Sequence, residues 1–236
     1  MNQTCSKCRK SLVEGIGSQN PALVALLGLC PLLAVSTTLI SGLGLGITTL
    51  VTLLLSSFFI STARHLIPEE VRLPVFVLLI ASVVTMIEFL LIAYRYEFYQ
   101  SVGLFIPLIV TNCVILARIE SVAYRHSVGH ALMDAFSMGI GFAAILVLLG
   151  AMREVLGFGT LLAGAQQLFG DKAAHWQLQV FDGEHGFLLA ILPPGAFFGL
   201  ALLVALKNWT DQHRIDTQLS AKNLEINESL LHATRE

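Results

Sequence analysis

At 236 residues, of which 55% are apolar and only 13% charged, the chain carries about half the charge of an ordinary soluble domain. No Lys, Arg, Asp or Glu occurs between Ile16 and Ala63, a run for which a water-exposed fold has no use. The net charge of −2 excludes nothing, because in a membrane protein the distribution of basic residues among loops decides orientation.

Taken in chain order, the tail 1–20 holds Lys7, Arg9 and Lys10 ahead of the first apolar run. No small-x-small cleavage site follows, so that run is expected to stay as an uncleaved helix. Apolar runs predict spans at roughly 21–40, 43–63, 72–93, 103–120, 128–150 and 186–206, each near the ~20 residues needed to cross the hydrocarbon. Ser41-Gly42, Pro68-Glu69-Glu70, residues 95–101 and residues 118–127 punctuate them. A polar stretch, 153–184, precedes the sixth; its Leu161, Leu162, Leu168 and Phe169 fit an interfacial helix or a re-entrant turn. Tyr94, Tyr96, Tyr99, Tyr124, Trp176 and Trp209 fall where an interfacial aromatic belt belongs. In the tail 208–236, Ile215, Leu219, Ile226 and Leu230 recur at helical spacing.

The fold class expected is an all-α polytopic membrane protein with a membrane domain over 21–207. Six spans put both termini on one side. Of the 14 basic residues only Arg95, Arg153 and Lys172 then fall on the other side, which orients both termini to the cytoplasm.

Three spans followed by three make any two homologous halves, here 21–93 and 103–206, inverted across the membrane. Residues 28–34 (GLCPLLA) can be laid on 111–117 (TNCVILA), and an arginine, Arg64 or Arg153, follows the second span of each half. Cys30 lies about ten residues inside one end of the first span and Cys113 about ten inside the opposite end of the fourth. Each depth is roughly 15 Å, near the midplane of a ~30 Å core.

The neighbours of these cysteines point to broken first and fourth helices. Pro31 suits a first helical turn, Gly28 supplies freedom to stop one half-helix, Pro107 interrupts the ladder, and Thr111 or Asn112 can cap a helix starting at Cys113. Helix starts at midplane favour an anion. A thiolate-ligated [2Fe–2S] cluster is one such anion, but it takes four thiolates. If one is bound, two ligands must come from a second chain of the same layout. Cysteines are also common small hydrophobes in apolar helices, and spacing alone leaves both readings standing.

Strings such as LLGLCPLLAV at 26–35, FIPLIVTNC at 105–113, ISTARH at 60–65 and LPPGAF at 192–197 resemble the E-type family of membrane subunits in the Rnf (Rsx) ion-translocating electron transport complexes. The resemblance covers about residues 20–207. It implies one component of a ferredoxin:NAD oxidoreductase coupled to Na⁺ or H⁺ movement in the bacterial inner membrane, without a complete active site of its own. Partners would be the A, B, C, D and G subunits of the Rnf complex, with the homologous A-type subunit closest, and no nucleic acid. It further implies that Cys30 and Cys113 are two ligands of a [2Fe–2S] cluster whose other two come from that homologue. The rivals are the D-type subunit of the Na⁺-translocating NADH:quinone oxidoreductase, a non-redox inverted-repeat transporter, and a scaffold with inert cysteines.

Other residues carry weaker signals. Glu88, Glu120 and Asp134 are acids in or beside spans, and Glu120 and Asp134 are ion-path candidates. Arg118 reads as a snorkelling side chain. Cys5 and Cys8 form a C-x-x-C pair without the second pair a four-thiolate site needs. The histidines lack metal-binding spacing. Gly42, Gly44 and Gly46 suit close helix packing.

Overall fold

In the computed structural model, which describes residues 23–65, 67–94, 96, 99–100, 103–161, 178–179 and 191–233, the first helix starts later than its apolar run suggests. Leu26 and Gly28 both adopt positive φ, 51° and 73°, which breaks any helix arriving from upstream. Helix α1 (Leu29–Val35) therefore has only seven residues. It ends at Ser36, whose hydroxyl donates back to the Leu32 carbonyl. The break expected at Gly28 is thus present, and the expected span 21–40 is, among the described residues, a half-helix and not one continuous helix.

Helix α2 (Leu39–Ala63) begins four residues before the expected start at 43. The cause is Thr38, an extended N-cap whose Oγ1 accepts from the Ser41 amide at 3.2 Å. Ser41-Gly42, expected as a turn, lies inside the helix. Helix α3 (Arg72–Tyr94) follows a 3-10 turn, Glu69–Val71, and agrees with the expected third span to within a residue.

The fourth span is broken as expected. A 3-10 segment, Gly103–Ile109, contains Pro107 and stops. Helix α4 (Cys113–Arg118) then starts afresh and passes into a π turn, Ile119–Ala123.

Helix α5 (Val128–Phe158) runs eight residues past the expected end at 150, stopping at Gly159 with φ 65°. The polar loop expected from Arg153 onward is overturned at its start. Arg153 and Glu154 lie within α5 and are 2% and 0% exposed. Beyond them a two-residue strand β1 (Thr160–Leu161) pairs antiparallel with β2 (Leu178–Gln179). The last helix, α6 (Pro193–Ala233), takes in both the end of the expected sixth span and the helical pattern read in the tail. Cys5, Cys8, Arg95, Lys172 and Trp176 lie outside the described residues.

Four segments among the described residues are long and apolar enough to cross a membrane: Leu39–Ala63, Glu69–Tyr94, Gly103–Ala123 and Val128–Gly157. Contacts group Met1–Gly199 as one unit and Leu200–Glu236 as another, the second holding its own i,i+4 ion pair, Lys207 to Asp211 at 3.3 Å.

The core of the first unit is the α2–α5 pair, and glycine lets it form. A Cβ on Gly42 would lie 2.8 Å from the Leu146 carbonyl oxygen, and one on Gly46 2.9 Å from the Ala143 Cβ. On the facing helix, Gly139 meets the Leu50 side chain and Gly150 meets the Thr38 carbonyl at 2.7 Å. In lipid no hydrophobic effect drives helices together, so backbone approach through small residues supplies the dispersion contact instead. Leu45, Leu53 and Ile60 of α2 and Phe142, Leu146 and Leu149 of α5 are buried as well.

Candidate half-site at two helix breaks

Each cysteine stands in the first turn of a helix that begins inside the bundle. Gly28 is the N-cap of α1, left-handed because the chain must turn there from a non-helical approach into the helix. Cys30 and Pro31 follow in the first turn, where proline's missing N–H costs no hydrogen bond. Asn112 caps α4: its Oδ1 accepts from the Val114 amide at 3.0 Å, leaving Cys113 as the first helical residue.

The two starts abut. A Cβ added to Gly28 would meet Val114 Cγ2 at 2.9 Å, Asn112 Oδ1 at 3.1 Å and the Phe142 ring at 2.8 Å. Asn112 is 2% exposed, and its Nδ2 has no hydrogen-bond partner among the described residues. Both Cys30 and Cys113, in contrast, are exposed free thiols. A cysteine kept for packing would sit with Leu32 and Val114 in the interior. These two instead look out of the chain from adjacent helix starts. Among the described residues no group of three or more His, Cys, Asp or Glu could hold a metal ion. Two thiols could supply half of a four-thiolate centre.

Glu120 and Asp134 do not join the cysteines. Glu120 lies in the π turn and pairs with Arg72 at 2.8 Å; Asp134, nearly two turns into α5, pairs with Arg118 Nε at 3.6 Å. Arg118, read from sequence as a snorkelling side chain, therefore has an ionic partner. His126 and His130 rings lie 5.0 Å apart beside them, and Arg64 donates to the His126 carbonyl at 2.7 Å. Polar contacts thus tie the end of α2 to the connection before α5, the start of α3 to the π turn, and the end of α4 to α5. Glu88 accepts from the Tyr99 hydroxyl at 3.0 Å, so the acid of the third span is hydrogen-bonded locally.

Residues 8–204 match the family described as Rnf-Nqr subunit, membrane protein. The chain belongs to the Rnf-Nqr family of membrane subunits. Three Rnf-Nqr relatives, each the E component of an ion-translocating oxidoreductase complex by name, match nearly end to end. That of Pseudoalteromonas atlantica is 52% identical, over 89% of this chain and 90% of its own. Those of Vibrio vulnificus and Aliivibrio fischeri strain ES114 are 52% and 53% identical over 92% and 90% of this chain, and 92% and 94% of their own.

Sequence reasoning missed the buried pair in α5 of this Rnf-Nqr protein. Arg153 Nη1 donates to the Leu33 carbonyl at 3.3 Å and to Ser36 Oγ at 3.0 Å; its Nη2 donates to the carbonyls of Ile191 and Leu192. Glu154 Oε2 accepts from the Leu39 amide at 2.8 Å. The available signal was an Arg-Glu dipeptide flanked by Leu148, Leu149, Val155 and Leu156, with Gly150 one turn earlier. A charged pair inside an apolar run reads better as a buried clamp than as a loop start.

Proposed function

We propose that this chain is the E-type membrane component of an Rnf ion-translocating oxidoreductase of the ferredoxin:NAD kind, and that Cys30 and Cys113 supply half the ligands of a [2Fe–2S] cluster. The observation that carries the reading is the pair of exposed thiols at abutting helix starts, Gly28 against Asn112. The other two ligands come from the homologous A-type component of the complex, facing this surface in the opposite orientation. When bound, the cluster supplies one-electron transfer; the other redox cofactors belong to the partner chains. The E-type names of the relatives favour this over the D-type component of the NADH:quinone enzyme.

The chain's own residues do three things in this reading. Cys30 and Cys113 provide thiolate sulfurs on one face. Gly28 and Asn112 fix the two helix starts, and a helix start favours negative charge nearby. Leu32, Val114 and Phe142 behind them keep water from the interior side.

The two halves are inverted repeats in this reading. Supporting it, Arg64 at the end of α2 reaches His126 in the connection between the first and second spans of the second half. Arg153 in the last turns of α5 reaches Leu33 in the last turn of α1 and Ser36 at its C-cap, where the corresponding connection of the first half begins. With the termini in the cytoplasm of the bacterial inner membrane, the cluster of Arg64, Arg72, Arg118, Glu120 and Asp134 faces the cytoplasm. There Glu120 and Asp134 are the ion-path candidates.

Iron and acid-labile sulfide assays on the purified complex test the reading, with Cys30→Ala and Cys113→Ala complexes beside the wild type. Loss of about two iron atoms per complex in either variant is the expected result for a [2Fe–2S] site. Unchanged iron and sulfide in both variants rejects ligation. Solute uptake by this chain alone, without iron, would favour a transporter.

A further inference from the structure

We propose that Arg153 and Glu154 are positioning residues: a clamp from α5 that holds both ends of the break after α1 and so fixes where Cys30 stands. The clamp's role toward a cluster rests on the reading of Cys30 as a ligand; its role toward the Cys30 half-helix does not.

A seven-residue helix cannot hold itself. Nucleation is costly and isolated helices below ~12–15 residues are marginal even when their sequence is ideal. Helix α1 also begins at a left-handed glycine and ends at Ser36, so its position must be imposed from outside. Its last carbonyls are orphans of the helix. Ser36 Oγ takes the Leu32 carbonyl and Arg153 takes that of Leu33 while donating to Ser36 Oγ as well. A cation at a helix C-terminus also complements the helix dipole.

Three residues later the opposite end of a helix meets the opposite charge. The first amide of α2, Leu39, is an orphan donor, and Glu154 accepts from it. Thus adjacent residues of one helix cap the end of α1 with a cation and the start of α2 with an anion. Gly150 makes this reach possible, because any side chain there would strike the Thr38 carbonyl in the same break. The other half of the guanidinium fork takes the Ile191 and Leu192 carbonyls, just before α6. One buried arginine therefore joins the Cys30 half-helix to the start of the last helix. Cys30 precedes Leu33 by one turn, roughly 4.5 Å of rise, so movement at the clamp is carried to the thiol by a rigid segment.

The test uses the purified complex in a Cys5→Ser/Cys8→Ser background, with Arg153→Gln, Arg153→Lys, Glu154→Ala and Glu154→Gln variants. After iron removal by a chelator, maleimide labelling rates of Cys30 and Cys113 are measured separately by peptide mass spectrometry. Arg153→Gln and Glu154→Ala should raise the Cys30 rate relative to the Cys113 rate about fivefold or more, the population change expected when a strong local constraint is lost. Glu154→Gln keeps an acceptor for the Leu39 amide and should stay near wild type. If Arg153→Gln fails to assemble, the Glu154→Ala and Glu154→Gln pair decides. Equal acceleration at both cysteines, or none, overturns the clamp. Iron left unchanged by Cys30→Ala and Cys113→Ala overturns ligation while leaving the labelling ratio to decide the clamp; iron lost in those variants with an unchanged labelling ratio overturns the clamp alone.

Discussion

The Gly28 backbone and the Asn112 side chain touch across the chain's two helix breaks: a methyl group on Gly28 would come within 3.1 Å of Asn112 Oδ1. Residues 84 positions apart thus bring the first turns of α1 and α4 together, each with its cysteine exposed. On this contact rests the proposal that the two cysteines act as a pair.

Gly28→Ala should therefore damage this region more than an ordinary glycine replacement. The new Cβ would meet Phe142 and Val114 below 3.0 Å, in a backbone with φ 73° that L-residues rarely adopt. A cost of about 2–4 kcal/mol is expected from overpacking and strain together. Thermal unfolding of the purified complex and its iron content report it. A variant with wild-type melting and iron would show that the starts do not abut.

Asn112→Ala removes the cap on the Val114 amide, at about 1 kcal/mol. Asn112→Ser keeps an oxygen acceptor and should recover part of that loss. Equal effects from both would mean that the cap is not what holds α4, and chemical denaturation in detergent can separate them.

Gly42→Ala tests the α2–α5 seam away from the cysteines. Its Cβ would oppose a backbone oxygen, that of Leu146 at 2.8 Å, which cannot rotate aside. About 1–3 kcal/mol of destabilisation is expected from forcing the helices apart. Measured melting should fall, while Gly129→Ala, which has nothing within 4 Å, serves as the silent control.

Tyr99 gives a pH signature outside the spans. Its hydroxyl donates to Glu88, and that bond, followed by desolvation and by the charges of Glu88 and Tyr96, holds the phenol above the ordinary tyrosine value of 10.0. A raised value means that the contribution is fully present below pH 10.0 and is lost as pH climbs through the folded-state value. Alkaline melting curves of wild type and Tyr99→Phe should converge above that range and differ below it. Parallel curves throughout would remove the Tyr99–Glu88 bond from the account.

What the sequence made legible was local chemistry. A Gly-x-Cys-Pro start and an Asn-Cys cap announce helix breaks through backbone conformation and capping that neighbours alone dictate. Pro107 announces its interruption in the same way. The start of α2 escapes such reading because Ser41-Gly42 has the composition of a turn, whereas Gly42 is there for the close approach of α5. Arg153 and Glu154 were hidden for a different reason: their partners Leu33, Ser36 and Leu39 lie 115 to 120 residues earlier in the chain. No window of sequence shows that a charge at one place caps a helix end at another. Glu120 and Asp134 were visible as acids at a boundary, but their arginine partners Arg72 and Arg118 come from the fold.

The central claim is that the Cys30 and Cys113 thiols jointly ligate one iron–sulfur centre at the meeting of two half-helices. Electron paramagnetic resonance of the reduced complex tests it most directly, comparing wild type with Cys30→Ala and Cys113→Ala. The account expects one [2Fe–2S] signal to disappear from both variants while the signals of the other centres persist. A full set of signals in either variant would contradict it.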